Sequence, residues 1–182
     1  MAKSIVLDVI ESTPVGRVAA VTRGGEVVAI EIIRGSIPDI MRRMSGRFGD
    51  VARGRNEAGR QLREYFAGRR RKFALKATRG LNEGFRKRVL EACARIPYGR
   101  TATYGELAAA AGSPRAARAA GSAIASNPSL IVIPCHRVTP AAGGLGGYSA
   151  PGGSATKRKL LAMEGVAVSG KSSKGKKKHH RR

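Results

Sequence analysis

The chain has 182 residues, enough for one ordinary domain or two small ones. Hydrophobic residues make up 42%, which can fill a core, but the longest apolar runs fall far short of the ~20 residues a membrane span needs. The formal net charge of +23 argues against an acidic surface for cationic partners and points to a polyanion, DNA or RNA. The plainer alternative is that the charge only keeps the protein in solution.

The charge is uneven. From Leu107 onward there are 13 Lys or Arg and one carboxylate, Glu164, whereas the first 106 residues hold 22 basic and 11 acidic groups. Two cysteines, Cys93 and Cys135, cannot build a disulfide framework, so a reducing, cytoplasmic setting is expected. Met1 leads straight into a segment that alternates with charge, and no signal peptide is read there. Three Asn and one Gln beside many Arg resemble the composition of thermophile proteins.

In chain order, Ser4–Ile10, Arg17–Thr22 and Val27–Ile33 are β-rich, and Thr13-Pro14 and Gly24-Gly25 mark the turns of an antiparallel meander. Helices are predicted at Pro38–Phe48 and Asn56–Phe66, the second with Leu62, Tyr65 and Phe66 on one face. Residues 1–78 thus form an expected small α/β domain, with Arg69–Lys72 as a solvated run or a phosphate contact. Asn82 is read as the cap of a helix reaching Arg95, with Glu83 in its first turn and Cys93 in its core face. Thr103 is read as the cap of Tyr104–Ala111. Ser113 and Pro114 then start a second short helix to about Ala125, a helix-turn-helix pattern. Leu130–Ile133 reads as a short strand or extended segment, Pro140–Gly153 as a loop and Thr156–Glu164 as a last helix. Residues 79–168 are the expected second domain, and 169–182 an expected disordered basic tail.

Cys135 sits in Ile133-Pro-Cys-His-Arg-Val138, where a turn can present it. A reactive thiol needs a base or a positive field. His136 is the only histidine before the tail, and Glu164 the only carboxylate in the last 76 residues. If this half holds a Cys–base–acid set, these are its local members. The alternative is a buried structural Cys beside a satisfied His.

Pro134-Cys-His-Arg-Val138 resembles the active-site signature of the O6-alkylguanine-DNA alkyltransferases. Ile96-Pro-Tyr-Gly99, Thr103-Tyr104, Ala116-Ala-Arg-Ala-Ala-Gly121, Ser126-Asn-Pro128, Gly147-Tyr-Ser149 and Leu160–Gly165 follow in the order and near the spacing of that family. Phe85 to Gly165 resembles it strongly, and Leu62–Gly68 more loosely.

The resemblance implies a ribonuclease H-like N-terminal α/β domain and a C-terminal, mainly helical, winged helix-turn-helix domain. It implies an irreversible single-turnover transfer from O6-alkylguanine, with O4-alkylthymine as a second substrate, to Cys135. His136 would deprotonate Cys135 through a water, Glu164 would orient His136, and Tyr104 would protonate the leaving base. Asn127 would brace the Cys turn by bonding backbone around His136 or Val138, its alternative being a helix C-cap. Arg118 would enter the duplex, its alternative being a phosphate contact. Ala117, Ala119 and Gly121 would lie against the minor groove. Val138, Tyr148 and Ser149 would line the substrate pocket.

Such chemistry requires the base to leave the stack, and binding should be weakly sequence-specific and steeply salt-dependent. Double-stranded DNA is the implied partner, a monomer the implied state, and no cofactor is expected. No metal is expected either, since no Cys or His precedes Cys93. Ala150-Pro151 lengthens the pocket loop and bears on tolerance for bulky alkyl groups. Three rivals are a noncatalytic lesion binder, which would lack Cys135, a Cys-His-Glu hydrolase, and a basic architectural DNA binder.

Overall fold

The computed structural model describes residues 3–77 and 81–167. The expected boundary at 78–79 and the basic tail from 169 lie outside the described residues. The described chain is mixed α/β, with a four-stranded sheet and six α-helices.

Strands β1 (Ile5–Ile10), β2 (Arg17–Arg23) and β3 (Glu26–Ile33) form the expected antiparallel meander. A short β4 (Val51–Arg53) adds parallel to β1, giving the order β3-β2-β1-β4. Three residues carry too little alternation to reveal a strand, which is why β4 escaped the sequence reading.

Both sheet faces are covered. Helix α1 (Ile37–Phe48), capped by Ser36 and carrying Pro38 in its first turn, lays Ile40 and Met44 on one face, against Leu7, Val21 and Ala29. On the other face, α2 (Glu57–Phe66) packs Leu62 and Tyr65 into a core shared with the C-terminal half. The lock for α2 is polar. Asn56 caps the helix through Gly59 N (2.8 Å) and donates to Ala20 O (2.9 Å). Buried Asp8 of β1 accepts from Asn56 N (3.1 Å) and from Arg63 (2.9 Å). A Cβ on Gly59 would fall 2.1 Å from Asp8 Oδ2, so only glycine lets α2 sit this low.

The C-terminal half packs α3 (Phe85–Ala94), α4 (Tyr104–Ala110) and α5 (Ala117–Ala125) together, and β5 (Ala102–Thr103) pairs parallel with β6 (Val138–Thr139). Two expected helix starts move. Gly84, not Asn82, precedes α3, and Glu83 instead pairs with Lys87 from outside the helix. Ser113 and Pro114 form a turn, with Ala116 N bonded to Ser113 O, and α5 begins only at Ala117. Thr103 does cap α4, in a reciprocal box with Glu106. Helix α6 (Gly153–Met163) is the last helix among the described residues.

Residues 130–133 are a turn rather than a strand. Val132 N bonds Leu130 O (2.9 Å) around Ile131, whose φ of 73° is left-handed. Cys135 N bonds Ile133 O (2.8 Å) around Pro134. Two three-residue turns therefore follow one another. A β-branched residue at positive φ is strained, and full burial of Ile131 holds it there. The same segment ties the halves together, since β3 bonds it through Ile30 N to Pro128 O (2.9 Å) and Leu130 N to Ile30 O (3.0 Å).

Candidate active site

The turn ends in a single 3-10 turn, Cys135–Arg137, wholly inside the molecule. Cys135 is 3% exposed and His136 0%. Asn127, just after α5, organises the turn from within. Its Oδ1 accepts from Ser129 N (2.9 Å), and its Nδ2 donates to Ile133 O (2.8 Å) and to Cys135 Sγ (3.1 Å). The expected bonds around His136 or Val138 are therefore replaced by bonds to Ile133 and to the thiol itself. The side chain reaches forward to the turn instead of back to α5, so it is not a C-cap.

Burial pushes the Cys135 thiol up, while the Asn127 bond, the Lys157 ammonium and the Tyr148 hydroxyl pull the other way. The resting group is a thiol, which needs a base. Burial pushes His136 below its ordinary value, against the pull of Glu164, so the imidazole rests neutral. Nε2 meets Glu164 Oε1 at 2.8 Å. An ionised carboxylate only accepts, so Nε2 carries the proton and Nδ1 is the free lone pair. Nδ1 is buried and has no hydrogen-bond partner among the described residues, so its lone pair is open to a proton.

Glu164, 5% exposed, gathers the site. Arg137 reaches it with Nε to Oε2 (2.8 Å) and Nη2 to Oε1 (2.9 Å), and with Nη1 bonds Ile96 O (2.6 Å). Tyr65 Oη donates to Oε1 (2.8 Å) and Gly99 N to Oε2 (3.3 Å). Gly99 has a φ of 73°, and a Cβ there would press on Glu164 O at 3.1 Å. Burial opposes the charge of Glu164, but the bonds from His136 and Arg137 prevail and hold it at about 2. Behind the turn, fully buried Lys157 of α6 donates to Val138 O and Gly147 O, and burial lowers it to about 8. It has no carboxylate partner among the described residues.

In front of Cys135 lies a cavity of about 260 Å3, lined by Tyr104, Gly121, Ile124, Ala125, Cys135, Gly147, Tyr148 and Ser149. That is below the range of about 300–1,000 Å3 for drug-sized ligands and suits a single flat ring system. The family model described as "6-O-methylguanine DNA methyltransferase, DNA binding domain" matches residues 84–166. The methylated-DNA–protein-cysteine methyltransferase of Methanosarcina acetivorans is 48% identical over 109 residues, 60% of this chain and 68% of that protein.

The chain belongs to the methylated-DNA–protein-cysteine methyltransferase family. The crystal structure of the Mycobacterium tuberculosis O6-methylguanine methyltransferase extends the likeness to the whole fold, at 34% identity and a TM-score of 0.70 over 88% of this chain and 92% of that one. A further structure, of the M. tuberculosis protein in complex with DNA, aligns at 33% identity and a TM-score of 0.71, over 88% and 93%.

In this methyltransferase-family chain, Cys135, His136, Glu164 and Asn127 converge, and Tyr104, Tyr148 and Ser149 share the cavity with Cys135. Gly121 faces the cavity rather than the outer side of α5. A Cβ there would meet the Tyr104 ring at 3.8 Å, an ordinary van der Waals contact, so the two share the cavity wall without the ring requiring glycine. Arg118 and Ala119 are exposed at the start of α5, and Ala117 is half-buried. Val138 is buried and does not line the cavity; its N–H bonds Cys135 O and its carbonyl takes Lys157. Ala150 is also buried away from the cavity wall, which Gly147–Ser149 supply.

Arg137, Tyr65, Gly99 and Lys157 also belong to the site, with no role there expected from the sequence. One signal was available for Lys157: with Leu160, Leu161 and Glu164 it falls on the inward stripe of α6, where a lysine is out of place. Tyr65 carried no such signal, because it lies 99 positions from its partner.

Proposed function

We propose that this protein repairs DNA by taking the alkyl group from O6-alkylguanine, and from O4-alkylthymine, onto Cys135. The observation that carries the reading is a buried thiol on a cavity of single-base size, backed by a neutral imidazole whose Nδ1 has no partner among the described residues and whose Nε2 is held by Glu164.

The Cys135 proton passes through a water to His136 Nδ1, and Asn127 and Lys157 stabilise the thiolate. Sulfur attacks the alkyl carbon in line. The S–C bond forms as the C–O6 bond breaks, and the released electron pair moves onto O6 and into the guanine ring. Tyr104 supplies the proton that makes the leaving base neutral. Its burial raises the phenol, so the proton is present at neutral pH. The thioether is stable, and each molecule reacts once.

The base must leave the helix to reach this cavity. The exposed, thin start of α5 would press into the minor groove, with Arg118 filling the vacated stack. In this reading residues 1–78 are a ribonuclease H-like unit, 79–168 a winged helix-turn-helix unit, and the protein acts as an intracellular monomer on double-stranded DNA.

The test incubates the protein with a duplex containing O6-methylguanine and weighs the intact chain. One methyl gained per molecule, absent in Cys135→Ser, is expected. Multiple turnover, or no adduct, would overturn the reading.

A further inference from the structure

We infer that Tyr65, on the sheet-packed helix α2, is a positioning residue for the Cys135 reaction: its hydroxyl shares the Glu164 oxygen that holds His136 and so tempers the hold of that carboxylate on the imidazole. The inference rests on the alkyl-transfer reading above.

Oε1 of Glu164 receives His136 Nε2 at 2.8 Å, Tyr65 Oη at 2.8 Å and Arg137 Nη2 at 2.9 Å. Oε2 receives Arg137 Nε and Gly99 N. Five donors meet a carboxylate with about four lone-pair sites, so they compete for its charge. Tyr65 is 1% exposed, and its ring is fixed against Phe66, Phe73 and Tyr98 at 5.2, 5.5 and 6.3 Å. Burial and the neighbouring Glu164 keep the phenol protonated. It can therefore only donate here, and a donor to a charged acceptor bonds strongly.

The phenol takes a share of Oε1 that would otherwise go to Nε2–H. A carboxylate with more free charge favours the doubly protonated imidazolium over the neutral ring. Tyr65 thus keeps His136 less basic. The other groups facing this pair are cations that act in the same sense, Arg137 from the Cys turn and Lys157 from α6, together with the Tyr98 phenol and the Cys135 thiol. The α/β half thereby contributes a group to a reaction centre that lies otherwise in the C-terminal half.

The test is Tyr65→Phe, which keeps the ring and removes the donor. Two quantities are read: the pH dependence of the single-turnover rate on an O6-methylguanine duplex, and the titration of His136 by NMR of 15N-histidine-labelled protein. The chain has three histidines, so the His136 signal is assigned by its loss in His136→Asn. The His136 titration and the acid limb of the rate should both move up by about half a pH unit. A residue that only packs would lower thermal stability and leave both unmoved, and that result overturns the inference. If Tyr65→Phe does not fold, 3-fluorotyrosine placed at position 65, a stronger donor, should move the His136 titration down, and no movement overturns it. Absence of an adduct in the unsubstituted protein would overturn alkyl transfer alone, because the His136 titration still decides the role of Tyr65.

Discussion

The reaction centre and the outer start of α5 handle positive charge in opposite ways. At the centre, Arg137 is buried and spends its donors on Glu164 and Ile96. On α5, Arg118 is exposed and has no ion pair among the described residues. Buried charge must be matched inside the fold, because desolvation makes an unmatched ion very costly. Exposed charge can wait for a partner from solution, because water already stabilises it. One region is thus built for fixed chemistry, and the other is free to meet a polyanion. Lys157 stands between these cases: it is buried with no carboxylate partner among the described residues, donates to two carbonyls, and is lowered to about 8 so that its charge is only loosely held.

Breaking the buried region should have the larger consequences. Cys135→Ser should abolish alkyl transfer entirely, seen as loss of the mass gain, while duplex binding by titration stays near that of the unsubstituted protein. Glu164→Gln leaves Arg137 buried and uncompensated, so it should cost about 3–5 kcal/mol in denaturant unfolding and slow transfer steeply. Gly59→Ala improves helix propensity yet drives a Cβ into Asp8, and the net effect should be a loss of about 1–3 kcal/mol. Because α2 carries Tyr65, the same variant should also disturb the His136 titration.

The exposed region should break more gently and selectively. Arg118→Ala should weaken duplex binding about tenfold, roughly 1.4 kcal/mol, with transfer from a free O6-methylguanine nucleoside unchanged. If Arg118 fills the stack, the salt dependence of binding stays nearly constant; a slope lowered by about one counterion would mark it as a phosphate contact instead.

The smallest effect concerns acid. Glu164 is held at about 2, below its unfolded value of 4.5, so it contributes stability that is complete above pH 4.5 and is lost as the pH falls toward 2. His136 also lies below its unfolded value of 6.5, and its contribution is complete above pH 6.5 and declines below it. Unfolding midpoints measured from pH 7 down to 3 should therefore fall, and Glu164→Gln should flatten the lower part of that decline.

Much of the centre was legible in the chain. A half with one carboxylate and one histidine before the tail leaves few candidates to serve a cysteine, and scarcity alone named His136 and Glu164. The meander was legible because alternation and Gly or Pro turns are local signals. Helix starts were less so. Asn82 and Ser113 are good caps by type, yet the chain turns at Gly84 and over Pro114 instead, since packing of the short helices fixes where each can begin. The strand or extended segment expected at Leu130–Ile133 gave way to a turn for a related reason. Four apolar residues read alike whether they extend or coil into a buried turn, and Asn127 selects the turn by bonding Ile133 and Cys135.

By itself, then, the sequence determined the chemistry: a thiol, its scarce partners, a basic surface and the residue order of the alkyltransferases. Tertiary structure decided how that chemistry is poised. A five-donor carboxylate, a buried lysine beside the thiol and a phenol reaching in from α2 all depend on contacts between residues far apart in the chain. Such contacts leave no periodic mark, because they follow from how packed elements meet and not from how neighbouring residues fold.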